Sequence, residues 1–165
     1  MKKLNTKTLV MMSLLVAIQV VLSRFLSINA WNLKIGFAFA PVALCGIMLG
    51  LVPTAIVAVV ADVLGALLFP SGMFFPGFTL TALFHGATYG LLLHKTQSPV
   101  RIGLAVAIDQ LVLGLLLNTL WISILYGSPY WGVMASRVVQ CLVMIPVEFV
   151  VITMLSKFGK RIAKV

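Results

Sequence analysis

The stretch Thr54-Ala55-Ile56-Val57-Ala58-Val59-Val60-Ala61-Asp62-Val63-Leu64-Gly65-Ala66-Leu67-Leu68-Phe69-Pro70 carries a single charge, Asp62, near its middle. A bilayer core of about 30 Å takes roughly 17 to 25 helical residues to cross, so this stretch reads as a membrane span. Just before it, Leu51-Val52-Pro53 marks a tight turn, and Pro53 suits the first turn of a helix. Working outward, the same reading repeats at 8–27, 35–51, 78–94, 102–126 and 131–156. The chain is therefore expected to be an all-α integral membrane protein. It reads as one membrane domain over residues 1–165, a bundle of six transmembrane helices with both termini cytoplasmic.

The composition agrees. Hydrophobic residues make up 62% of the 165, charged residues 9%, and the mean hydropathy is +1.17. Soluble domains average roughly 25% charged residues, and a chain this small has too much of itself at the surface to hide so much apolar area from water. Disorder and soluble enzyme folds are excluded. The net charge of +9 is topological. Lys2, Lys3 and Lys7, then Lys95 and Arg101, then Lys157, Lys160, Arg161 and Lys164 all lie between or beyond apolar runs. Cytoplasmic segments of membrane proteins are basic in this way. No small-x-small cleavage pattern follows the run from Leu9 to Leu22, so it reads as an uncleaved first helix. Cys45 and Cys141, both within apolar runs, read as small hydrophobes rather than a disulfide or metal site.

Two outer connections stand apart. Phe69-Pro70-Ser71-Gly72-Met73-Phe74-Phe75-Pro76-Gly77-Phe78-Thr79 and Tyr126-Gly127-Ser128-Pro129-Tyr130-Trp131-Gly132 are uncharged and crowded with aromatics, Gly and Pro. Aromatics anchor spans at the interface, but this density exceeds an anchor's needs and points to a folded lid over a site. Small-residue pairs four apart, Ser13/Ala17, Gly46/Gly50 and Gly86/Gly90, allow close helix approach in lipid. The first pair can also face a partner.

A charge at mid-membrane costs roughly 2.5–3.5 kcal/mol on insertion scales, so Asp62, Asp109, Glu148, Arg24 and Arg137 must be paired or functional. Two readings stay open: buried ion pairs, with Asp62 or Glu148 facing an arginine, or an arginine at a cavity edge awaiting an anionic ligand. Thr81, His85 and Thr88 share one face of span four, which also carries Thr79 and Tyr89; Asn118, Thr119 and Trp121 cluster in span five. Such polar stripes either hold helices together or recognise a flat polar heterocycle. His85 reads as a satisfied core histidine. No Gly-x-x-x-x-Gly-Lys-Ser/Thr, His-Glu-x-x-His, Cys-x-x-Cys or Gly-x-Ser-x-Gly occurs, which argues against ATP binding by this chain and against catalysis.

Several segments together resemble the folate-specific substrate-binding (S) component of energy-coupling factor transporters. They are Leu22-Ser23-Arg24-Phe25-Leu26-Ser27-Ile28, Lys34-Ile35-Gly36-Phe37, Phe39-Ala40-Pro41, Asp62-Val63-Leu64-Gly65 and the loop from Phe69-Pro70 to Phe78-Thr79. Tyr89-Gly90, Asn118-Thr119-Leu120-Trp121, Leu125-Tyr126-Gly127, Arg137 and Pro146 complete the likeness. The resemblance implies a six-helix protein of the prokaryotic cytoplasmic membrane that binds folate from outside. It implies partners too: a transmembrane coupling subunit and two ATPase subunits that alone use ATP, this chain having no cofactor or metal. It further implies toppling of the S component in the membrane and a first-helix contact with the coupling subunit, here at Ser13 and Ala17.

The side chains suit that ligand. A flat ring stacked on an aromatic gains roughly 1–3 kcal/mol, and Phe74, Phe75, Trp121 and Tyr126 are the candidates. Asn118 and Thr79 are expected at the ring edge, with Tyr89 in the same set. Arg24, Arg137 or Lys34 would meet the glutamate carboxylates. Other classes stay open: an S component for a different vitamin, a small ion-coupled carrier using Asp62 or Glu148 as a proton site, or a membrane scaffold.

Overall fold

A computed structural model describes residues 5–30, 33–70 and 73–162, with backbone alone for 28–30, 33–35 and 158–162. The elements run α1 (Thr6–Arg24), β1 (Ile28–Ala30), β2 (Leu33–Ile35), α2 (Phe39–Leu49), α3 (Leu51–Leu68), α4 (Pro76–Leu93) and α5 (Pro99–Ala107). A π-helical segment (Ile108–Leu117), α6 (Asn118–Tyr126) and α7 (Tyr130–Ile162) complete the chain. Prolines open α4 and α5 at their first turns, where a missing N–H costs nothing, and Ser98 caps α5 by accepting from the Arg101 amide. Both helices accordingly start two or three residues before the expected spans. Of the basic residues that set the expected topology, Lys2, Lys3 and Lys164 lie outside the described residues. The side chains of Lys34, Lys160 and Arg161 do as well.

The span expected over 35–51 is helical only over Phe39–Leu49, and its beginning is strand. β1 pairs antiparallel with β2, Ile28 opposite Ile35 and Asn29 opposite Lys34. The helical fold thus carries one small hairpin. The backbone groups between two helix ends need partners, and here they find them in each other. At the hairpin's base a Cβ on Gly36 would come 2.8 Å from that of Ser27, so only glycine fits.

α5, the π segment and α6 form one continuous rod that ends at Gly127, in the left-handed conformation (φ 61°) favoured at helix C-termini. This rod, α1, α3 and α7 are long and apolar enough to cross a membrane. α2, at 11 residues, is too short for that. α4 has the length, but its polar stripe lowers its hydropathy. Leu9, Leu14, Leu67, Leu91, Leu142 and Val150 stand exposed around the outside, a surface that lipid satisfies and water does not.

The densest packing joins α2 and α3 to α4. A Cβ on Gly46 would lie 2.8 Å from the Tyr89 carbonyl oxygen, one on Gly86 2.7 Å from that of Thr54, and one on Gly90 2.5 Å from Leu51 Cα. Helix backbones touch here because no side chains intervene, as the glycine spacing predicts. Around this seam Val42, Ala58, Tyr89, Leu93, Ile102 and Ile152 form the main buried cluster. α2 turns into α3 through Gly50 alone (φ 84°), beside the His94 ring at the end of α4. At the opposite end Arg24 lies against Gly65, so α1 and α3 run in the same direction, while Gly90 and His94 beside Gly50 and Leu51 set α4 antiparallel to α3. Ser13 and Ala17 lie on the exposed face of α1, with Leu14 and Ile18.

Candidate functional site: a polar cavity within the bundle

Away from the glycine seam, α1, α3, α4, the π segment and α7 part around a cavity of about 470 Å³, within the usual range for small-molecule sites. Its mouth is apolar: Pro70, Met73, Phe74 and Phe75 from the α3–α4 connection meet Leu125 and Tyr126 from the end of α6. From α1, residues four and one apart, Gln19, Ser23 and Arg24, turn inward together. The Arg24 guanidinium occupies space that only glycine leaves at position 65, where a Cβ would meet its Nε at 3.0 Å.

Phe75 is the hinge of the aromatic side. Its ring packs tilted on Trp121 at 5.7 Å and edge-on to Phe78 at 6.1 Å. The Trp121 indole donates to Thr81 Oγ1 at 3.0 Å, and that hydroxyl donates to the Gly77 carbonyl. Thr79 donates to Asp62 Oδ2 at 2.9 Å, so the Asp62 carboxylate reaches the cavity already held.

The far side belongs to the π segment and α7. His85 Nδ1 pairs with Asp109 Oδ1, and the His85 ring stands edge-on to Tyr89. Glu148, 2% exposed, accepts from Gln110 Nε2 at 2.6 Å and from the Tyr89 hydroxyl at 3.3 Å. Arg137 donates to the Gly114 carbonyl at 3.0 Å and Cys141 to that of Gln110 at 3.3 Å, so α7 grips the backbone of the π segment itself.

The unusual winding decides which residues share this wall. In an α-helix, at about 100° per residue, Asn118 would face roughly 180° away from Asp109. The i→i+5 winding, roughly 4.4 residues per turn, brings the two within about 20° of each other. Asp109, Gln110, Leu113, Gly114 and Asn118 accordingly all line the cavity.

Of the nine residues singled out from sequence as the ligand site, Arg24, Phe74, Phe75, Asn118, Tyr126 and Arg137 line this cavity. Thr79, Tyr89 and Trp121 instead stand behind the lining and hold Asp62, Glu148 and Thr81 in place. As for the carboxylates, Glu148 accepts from Gln110 and Tyr89, and Asp62 accepts from Thr79. His85, expected as a core histidine, is partnered but also lines the cavity. Gln19 and Gln110 were not anticipated. The one signal for them was a polar amide inside an apolar run. Among the described residues, no three His, Cys, Asp or Glu side chains gather as metal ligands.

Comparison with known proteins gives a consistent result. The family model described as "ECF transporter, substrate-specific component" matches residues 7–156. Folate transporter FolT of Clostridium novyi is 39% identical over 153 residues, covering 92% of this chain and 88% of that protein. Folate transporter FolT of Leuconostoc mesenteroides is 31% identical over 153 residues, covering 88% and 82%. A crystal structure of FolT bound with folic acid superposes with a TM-score of 0.88 at 34% identity, over 93% of this chain and 94% of that one.

Proposed function

Because the chain belongs to the substrate-specific components of ECF transporters, we propose that it binds folate in the cavity described above, as the substrate-binding subunit of an ATP-driven vitamin importer. The family's role is transport, not catalysis. The observation that carries the reading is a cavity of ligand size, aromatic at its mouth and polar within, in a fold that superposes on FolT holding folic acid. Phe74, Phe75 and Tyr126 offer faces for the pteridine and benzoyl rings. Asn118 offers polar atoms to a ring edge, while Arg24 and Arg137 supply positive charge for the glutamate carboxylates. Thr79, Tyr89 and Trp121 act through the side chains they hold.

The bundle crosses the cytoplasmic membrane of a prokaryote six times, with both termini inside. Support comes from the alternating directions of the rods and from the basic residues Lys7, Lys95, Arg101 and Lys157 at one end. α4 joins the count because it turns its polar stripe inward, and α2 joins it as a partial crossing shielded by its neighbours. Uptake then depends on a transmembrane coupling subunit and two ATPase subunits, which hydrolyse the ATP. The exposed Ser13/Ala17 face of α1 is the contact for the coupling subunit: two small residues four apart let another helix approach closely.

The test is titration of the purified, detergent-solubilised chain with folate, following tryptophan fluorescence. Saturable one-to-one quenching without ATP is expected, since Trp121 packs on a cavity aromatic. The double variant Arg24→Ala, Asn118→Ala should weaken binding at least about tenfold, or about 1.4 kcal/mol. A folded chain that ignores folate overturns the reading, and a vitamin panel would then identify another ligand. Ser13→Trp should leave folate binding intact while abolishing co-purification with a coupling subunit. Retained co-purification would remove that interface.

A further inference from the structure

We infer that the furrow on the outer side of α3 and α4 holds one acyl chain of an anionic phospholipid, in the leaflet at the basic end of the bundle, with the headgroup at Lys95.

The furrow is a by-product of the glycine seam. Gly86 and Gly90 bring the α4 backbone against Thr54, Ala55 and Leu51, so the two helices lie too close for side chains to fill the angle between them. Ala55 and Ala87, the smallest side chains there, leave its depth; Val52 and Ile56 from α3 and Leu83 and Phe84 from α4 rim it. Every lining residue is apolar, and the space is about 560 Å³. Such a space favours hydrocarbon over water. Along α3 it runs from Leu51 to Val60, a rise of about 14 Å. One leaflet offers roughly half of a core about 30 Å thick, so the length suits a single acyl chain.

Charge at one end identifies the lipid. Leu51 follows the Gly50 turn, beside the His94 ring, and both His94 and the adjoining Lys95 are exposed. The chain's three acidic side chains, Asp62, Asp109 and Glu148, all line the polar cavity. An anion that suits Lys95 therefore comes from outside the protein, and a phospholipid phosphate lies at that depth.

A second helix would be the other apolar occupant. Helices approach closely over small residues, as the Ser13/Ala17 face allows. Here the branched and aromatic rims hold a helix backbone off, while a chain of methylenes passes between them. The two surfaces are also separate. Val57, which clusters with Met12 and Leu15 of α1, lies on the opposite side of α3 from Ala55 and Val59. None of the furrow residues lines the polar cavity, so this site stands or falls apart from the vitamin.

The purified chain, in an uncharged detergent, is titrated with phosphatidylglycerol and with phosphatidylcholine of the same acyl chains, and bound lipid is counted by native mass spectrometry. One phosphatidylglycerol should be retained, at least about fivefold more tightly than phosphatidylcholine, the effect of one basic residue at the headgroup. Lys95→Gln should remove that preference and leave phosphatidylcholine binding unchanged. Ala87→Leu, which fills the furrow, should weaken both lipids at least about tenfold without altering the size-exclusion profile. Equal retention of the two lipids by the unmodified chain overturns the proposal without any variant having to fold. A preference that survives Lys95→Gln, or retention that survives Ala87→Leu, overturns it as well. If Ala87→Leu instead releases a co-purifying coupling subunit with lipid binding intact, the furrow belongs to a protein helix and the lipid site is refuted.

Discussion

The two faces of α4 put small and polar residues to opposite uses. Toward α2 and α3, Gly86 and Gly90 remove side chains so that backbones touch. Toward the π segment, Thr81 and His85 keep theirs, and a cavity stays open. In a lipid-embedded helix both patterns break the apolar run, and hydropathy alone does not tell them apart. What separates them is the partner. On the seam each glycine meets main chain within 3 Å of where a Cβ would sit. At the cavity each polar group meets a second side chain that leaves it facing open space.

Substitutions can break that contrast. The largest effect is expected at Gly90: Gly90→Val would drive a branched side chain into Leu51 Cα, at a cost on the order of 3 kcal/mol or more. It should abolish the monodisperse peak on size-exclusion chromatography. A normal peak would mean that the seam yields. Next comes His85→Gln on the cavity face. Weakening the partner of the Asp109 carboxylate should cost about 1.5–3 kcal/mol and weaken folate binding. Thermal unfolding and titration together report it, and a change in stability alone would assign His85 to packing.

Trp121→Phe keeps an aromatic against Phe75 but removes the donor to Thr81, for about 0.5–1.5 kcal/mol. It should also erase most of the folate-dependent fluorescence change. Persistence of the signal would place the reporter at another tryptophan. The smallest effect is expected at Gly103, where a Cβ would meet nothing closer than Phe149 at 3.8 Å. Gly103→Ala should raise stability by up to about 1 kcal/mol, the helix-propensity difference. A loss as large as that at Gly90 would show that glycine packing extends well beyond the seam.

Much of this architecture is legible in the sequence because lipid imposes one rule on it. A run of apolar residues long enough to cross must be helical, so four of the expected stretches coincide with α1, α3, the α5–α6 rod and α7, and a helix, α4, also stands where the one at 78–94 is expected. The Gly86/Gly90 pair is equally readable, since spacing by four fixes the face, whereas of Gly46/Gly50 only Gly46 lies on a helix face and Gly50 makes the turn. The hairpin at 28–35 was not, because strands of three residues carry no usable alternation. The cavity wall was half readable. Asn118 was identified and Asp109 was not joined to it, because a 3.6-residue period sets them on opposite faces and nothing local announces a wider winding. From the sequence, Thr79 reads as a hydrogen-bonding group for a ring edge and Trp121 as a stacking surface, but both polar atoms are taken up by the protein. Their partners, Asp62 and Thr81, lie 17 and 40 residues away, beyond any local pattern.

The one-residue turn at Gly50 bears on how the protein is made. α2 alone is about 16 Å long and cannot hold a place across about 30 Å of hydrocarbon. It must therefore enter the membrane together with α3, as one re-folded pair, rather than emerge from the insertion machinery as a helix in its own right. Even then its glycine, Gly46, has nothing to rest on until Tyr89 and Gly90 have been synthesised. The first half of the chain waits, uncommitted, for the end of α4, and an interruption of synthesis before Leu93 would leave α2 without its dock.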